Sequence, residues 1–368
     1  MRSLAFVFGS LFLVPACDDG GRDGPPAVQY LSTCSRPLDL LAADVNGDGD
    51  TDLVVQCERA IAVHPGLGAP VHTAVVPPLW GLVAGDFDGD GKIDLAAGGL
   101  TIQLLRGRGD GTFEPPTQLL GQPGAVWLAA DLDGVGPTDL ILKTADSTVT
   151  VVVDGQEAAR FSHPLVQLLS AVAVDLEGDG DLDVVLAGGE NHTGLAAMFV
   201  IENDGAGRFR ERVLEVGRDD IASITAMATH SGRGQGGELL VASTTAHRLQ
   251  VRGDQAIVSE SSCLWTGGGV RLPNGCDYSL AQAIVADDFD QDGRSDFAVL
   301  LDSPYTGHPS LVFSRGDDPG RVPVAWDGTL HGGGGMVALP AQAGQPPRLA
   351  IAEQLRDRIV LLSAAALP

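Results

Sequence analysis

Nine residues, Asp86-Phe87-Asp88-Gly89-Asp90-Gly91-Lys92-Ile93-Asp94, place carboxylates at the first, third, fifth and ninth positions of a short loop. Side-chain oxygens at that spacing can converge on one hard cation, and calcium takes about six to eight oxygen ligands in irregular geometry. Asp86, Asp88, Asp90 and Asp94 are the candidate ligands, with Lys92 offering only its carbonyl. Gly91 permits the positive φ that a tight wrap around an ion demands.

The elements that must position this loop are strands. Leu82-Val83-Ala84 leads in and Ile93-Asp94-Leu95-Ala96-Ala97 leads out to Gly98 and Gly99, short apolar runs ended by glycine. An EF-hand would need flanking helices and a closing bidentate Glu at position twelve, and neither is present.

The loop recurs. Asp44, Asn46, Asp48, Asp50 and Asp52 form a full copy. Asp175, Glu177, Asp179, Asp181 and Asp183 form another, and Asp288, Asp290, Asp292, Arg294 and Asp296 a fourth. Asp131, Asp133 and Asp139 mark an eroded fifth copy with Val135 in the place of the third ligand. Thr229 to Glu238 and Pro340 to Arg348 read as the same loop stripped of ligands. The seven starts are about 42 to 59 residues apart, a period that suits four short strands per unit, as in a propeller blade.

These loops resemble the FG-GAP/VCBS repeats of integrin alpha-chain propellers and bacterial surface proteins. Gly109-Asp110-Gly111-Thr112-Phe113 and Asn203-Asp204-Gly205-Ala206-Gly207-Arg208-Phe209 match the family's turn between third and fourth strands. The resemblance covers residues 28 to 363. It implies an all-β fold, a seven-bladed β-propeller of four-stranded blades, with Ca2+ held at four loops between first and second strands. Three Arg-Gly-Asp tripeptides, starting at Arg108, Arg252 and Arg315, fall at those same hairpins and read as turn chemistry. The seventh unit lacks a fourth strand, so Val28-Gln29-Tyr30-Leu31-Ser32 is expected to complete it and remove an open edge.

Residues 1 to 16 read as a lipoprotein signal peptide: Arg2, an apolar Leu4 to Val14, then Val14-Pro15-Ala16-Cys17. Cys17 would carry the lipid, residues 17 to 27 would be a flexible tether, and residues 28 to 368 the propeller. The expected location is the bacterial cell envelope, with the membrane reached through the lipid anchor only. The remaining cysteines are even in number, and an oxidising compartment favours Cys34 with Cys57 and Cys263 with Cys276.

A net charge of −25 excludes a phosphate-binding basic face, so nucleic acid is not an expected partner. A monomer is expected. In the family, ligands meet the face away from the calcium loops. That face would here present Glu190, His192, Trp265, Arg271, Tyr278, Tyr305, His308 and His331, aromatic and polar groups suited to a glycan or protein ligand. A binding or adhesion module is the expected function, and no enzyme is expected. The alternative is a polysaccharide lyase or hydrolase, for which Glu190 with His192, or Tyr305 with His308, would be the local acid/base pair.

Overall fold

The computed structural model describes residues 28–145, 147–191, 193–216, 221, 223–229, 238–242, 245–263, 280–293, 296–302, 309–314, 324–325, 330–342 and 345–363. The chain forms an all-β propeller of four-stranded blades: five sheets have four strands and one has eight. The innermost strands are Pro37–Ala43, Leu82–Gly85, Ala125–Ala130, Val166–Val174, Ala226–Thr229, Leu280–Asp287 and Gly333–Leu339. Successive ones touch, and the last touches the first, closing a ring.

Seven apolar layers fill the space between neighbouring units. This explains why the middle strands are continuous apolar runs. Asp52–Cys57, Asp94–Ala97 and Ile102–Leu105 are buried along their whole length, because both faces of the sheet are covered.

The eight-stranded sheet departs from the spacing of the sequence, which separates the units beginning at Asp175 and Thr229. Their outermost strands, Phe209–Val216 and Gln255–Cys263, pair in parallel at Glu215 with Gln255 and Val216 with Ala256. Arg212 reinforces the seam, donating to Gly253 O at 2.6 Å.

Ring closure follows the expectation. Val28–Ser32 pairs antiparallel with Arg358–Ser363, from Val28 opposite Leu362 to Ser32 opposite Arg358. The Arg358 guanidinium lies 4.0 Å from the centre of the Tyr30 ring. Just beyond, Cys34 and Cys57 are disulfide-bonded, their Cα atoms 6.1 Å apart, as expected. Buried His64 donates from Nδ1 to Gly68 O (2.9 Å) and pairs through Nε2 with Thr33 Oγ1 (3.0 Å), so the residue after the closing strand is tied to the first sheet. Cys17, Cys276 and residues 1–27 lie outside the described residues, and with them the second disulfide and the leader. Among the described residues, no helix is long and apolar enough to cross a membrane.

Candidate metal loops and the cavity opposite

All five acidic loops share one conformation. Position four has positive φ in each, at Gly47, Gly89, Gly134, Gly178 and Gln291, and position six does too, at Gly49, Gly91, Gly136, Gly180 and Gly293. Gln291 holds φ 62° despite its side chain, so the loop geometry outlasts the loss of that glycine. Position two is apolar and turned into the layers between sheets: Val45, Leu132, Leu176 and Phe289 are buried, Phe87 partly so.

The first carboxylate gathers its own loop. Asp86 Oδ1 accepts from Gly89 N (2.7 Å) and Asp90 N (3.1 Å), and Oδ2 from Gly91 N (2.9 Å). Asp44 and Asp175 repeat the set. The ninth carboxylate is buried every time: Asp52, Asp94, Asp139, Asp183 and Asp296 are 0–3% exposed. It accepts the position-two N–H in each loop, as from Phe87 to Asp94 at 3.1 Å. In four loops its other oxygen accepts an N–H near the next hairpin, from Gly66, Gly107, Asp154 or Asn203. Burial pushes Asp52, Asp94 and Asp139 above the ordinary carboxylate range. Asp183 is pushed up to about 7, by burial and then by its hydrogen bond with Glu177.

Three loops bring carboxylate oxygens within 4.8 Å of one another: Asp86 with Asp88 and Asp90, Asp131 with Asp133 and Asp139, and Asp288 with Asp290 and Asp296. The eroded loop therefore keeps its convergence even with Val135 in it. Asp288 Oδ1 is buried and lacks a hydrogen-bond partner among the described residues. An all-oxygen donor set with an orphaned carboxylate oxygen fits a hard cation such as calcium.

Basic side chains also reach these carboxylates. Arg106 Nε donates to Asp88 at 2.8 Å and Lys92 Nζ to Asp90 at 2.6 Å. Lys92 thus does more than the carbonyl role expected of it. Glu177 is held by Arg212 at 3.1 Å, which also binds Glu202 at 2.5 Å. Arg294 lies outside the described residues; Asp292 donates its N–H to Asp290, as Asp50 does to Asp48 and Asp181 to Asp179.

On the other end of the ring lies a cavity of about 500 Å3, between the first, sixth and seventh inner strands. Asp39, Gln56, Gln282, Gln354, Gly333, Gly334, Gly335, Leu79 and Met336 line it. Gln56 Nε2 donates to Leu79 O at 3.4 Å, while its buried Oε1 has no partner among the described residues. The glycine run is what lets the wall close up. A Cβ on Gly335 would fall 2.0 Å from Asp39 Oδ1, and one on Gly333 2.5 Å from Gln282 Oε1. Gly334 and Gly335 have no register partner on Arg348–Glu353, where the ladder slips between Gly333 and Met336. Burial in this wall raises Asp39 above the usual carboxylate range.

This face also carries exposed apolar side chains: Val76, Trp80, Leu100, Leu165, Leu195 and Leu355 all sit on its connections. Of the residues expected there, Glu190 is exposed at the end of Asp183–Glu190 and accepts from Thr193 Oγ1 at 2.8 Å. His331 donates its N–H to Glu353 Oε1 at 2.7 Å. His192, Trp265, Arg271, Tyr278, Tyr305 and His308 lie outside the described residues. Sequence reading missed Asp39 and the three glutamines. The signal that pointed to them was the run Gly332 to Gly335.

Residues 86–142 match the FG-GAP-like repeat. That is one loop-to-loop unit, from Asp86 through the eroded copy to Leu142. No curated protein matches the chain. Among solved structures, BBS1N in its complex with ARL6DN is similar at TM-score 0.61 and 10% identity, over 92% of this chain and 94% of that one. Virginiamycin B lyase from Staphylococcus aureus is similar at TM-score 0.58 and 11% identity, over 91% and 98%. A streptogramin B lyase gives 0.56 and 14%, over 91% and 97%. At these identities the likeness concerns the propeller fold alone.

Proposed function

We propose that this chain is an exported, lipid-anchored, seven-bladed propeller, stabilised by calcium, that works as a binding module for a glycan or protein ligand. The seven-blade reading takes the eight-stranded sheet as two blades, which the seven apolar layers and seven touching inner strands favour. Calcium would be held by Asp44, Asn46 and Asp48, by Asp86, Asp88 and Asp90, by Asp175, Glu177 and Asp179, and by Asp288, Asp290 and Asp296, with Asp131, Asp133 and Asp139 as a fifth site. Its part would be to cross-link each loop and offset the repulsion of clustered carboxylates. The leader at residues 1–16 and Cys17 would place the protein in a bacterial envelope.

The observation that carries the binding reading is the composition of the cavity wall. Among the described residues it holds one carboxylate, Asp39, among carboxamides and glycine backbone. Two-carboxylate glycoside hydrolysis needs a second acid across the substrate. BBS1N is a propeller crystallised with a protein partner, which suits a protein-binding role. The similar lyases keep an enzymatic alternative in view, without pointing to a carbohydrate substrate. Presenting the chain with calcium to a polysaccharide array, scoring both retention and new reducing or unsaturated ends, separates the two. Retention without new ends is expected; new ends would make it an enzyme.

A further inference from the structure

We propose that the cavity takes a single neutral sugar unit, with Asp39, Gln56, Gln282 and Gln354 pairing its hydroxyls and Met336 receiving its C–H face. This rests on the binding-module reading and assigns it a ligand class and a place.

Three observations lead there. The cavity's volume of about 500 Å3 lies within the range of about 300–1,000 Å3 usual for small-molecule sites. Its polar wall is dominated by carboxamides, each with a carbonyl acceptor and two N–H donors. A hydroxyl both donates and accepts, so it can use either end of a carboxamide, whereas an ammonium only donates and would leave the N–H groups unpaired. Unpaired buried donors each cost about 1–3 kcal/mol. Gln56 also lines this wall, its Nε2 donating to Leu79 O and its buried Oε1 without a partner among the described residues.

The wall is also two-sided in the way a sugar ring is. Met336, Leu79 and Ala283 give an apolar patch beside the polar groups, matching a ring with hydroxyl edges and C–H faces. The ladder slip at Gly334 and Gly335 brings main chain within reach of the same space. The close fit of Gly335 to Asp39 fixes the carboxylate at the cavity wall.

The test uses the full chain in calcium buffer, with methionine methyl groups labelled with carbon-13. Of the four methionines, Met1 lies outside the described residues and Met198, Met227 and Met336 all pack in apolar layers, but of these three Met336 alone also lines the cavity, and its signal is assigned with Met336→Leu. Glucose, galactose, mannose and N-acetylglucosamine are titrated to about 50 mM. The expected result is a saturable shift of the Met336 methyl with at least one sugar, and affinity at least tenfold weaker in Gln354→Ala and Asp39→Asn. No Met336 shift with any of the four overturns the proposal. So does a stronger response to ethanolamine, which would make the cavity a cation site. Should the array retain a glycan while Met336 stays silent, the cavity assignment fails and the binding-module reading survives. The wild-type methyl signal decides the matter even where a variant does not fold.

Discussion

Asp94 holds Phe87 across the loop: its Oδ2 accepts the Phe87 N–H at 3.1 Å while Oδ1 accepts that of Gly107 at 2.7 Å. The last position of the acidic motif is therefore a buried hydrogen-bond staple between loop and hairpin, with or without an ion. Asp88, in contrast, faces partly outward against Arg106.

The two roles separate by mutation. Asp94→Ala strands one buried and one part-buried N–H group and should cost about 2–6 kcal/mol even in chelator, at about 1–3 kcal/mol each. Asp88→Asn loses only a part-exposed ion pair and should cost under about 1 kcal/mol in chelator, yet lower calcium affinity. Urea unfolding with and without calcium checks both. Equal costs in chelator would show that the ninth position has no special part.

Calcium removal should lower the Tm by more than about ten degrees. Each site filled at a hundredfold excess over its Kd contributes about 2.7 kcal/mol. Several such sites compare with a whole domain's stability of about 5–15 kcal/mol. A scan in EGTA against one in millimolar calcium gives the answer, and a shift of a degree or two would contradict it.

Arg106, paired with Asp88, would compete with a cation entering the loop as proposed. Arg106→Ala should tighten calcium binding at that loop by up to about fivefold, the worth of a surface pair of about 1 kcal/mol, as read by titration calorimetry. In chelator the same variant should be slightly less stable, because the carboxylates there lose their one arginine.

Asp39 predicts a pH slope. Its folded pKa lies above the unfolded value, so its stabilising contribution is complete at pH below about 4 and is lost as pH rises through the folded value. Asp39→Asn should therefore flatten the decline of stability from pH 4 upward and gain on the wild type near neutrality. Melting curves across that range test it, and parallel slopes would refute it.

Deleting residues 28–32 should lower the Tm sharply. It exposes both the edge of Arg358–Ser363 and the apolar layer beneath it. A thermal melt of the truncated chain against the full one measures this, and an unchanged Tm would count against the closure.

The loops were legible because their determinants are local: an aspartate, an apolar anchor, two left-handed residues and a closing aspartate fit in nine positions. The closing strand was legible too, as a spare apolar run beside a unit short of one strand. The Arg106–Asp88 and Arg212–Glu177 pairs were not, since they join an acidic loop to a residue 18 or 35 positions further along the chain. The cavity was hidden for the same reason. Asp39, Gln282 and Gln354 are brought together by ring closure, and glutamine has no motif of its own. The joining of two sheets through Val216 and Ala256 depends on a parallel pairing of two residues, far too short to leave a pattern.

Val28 sits opposite Leu362, and Leu362 opposite Leu349, at the end of the ring where the acidic loops lie. Val28 itself therefore lies at the rim of the ring, on the acidic side. On the anchoring proposed above, the acidic loops would turn toward the attachment, and the cavity with its apolar surround would open on the opposite end of the ring, away from it.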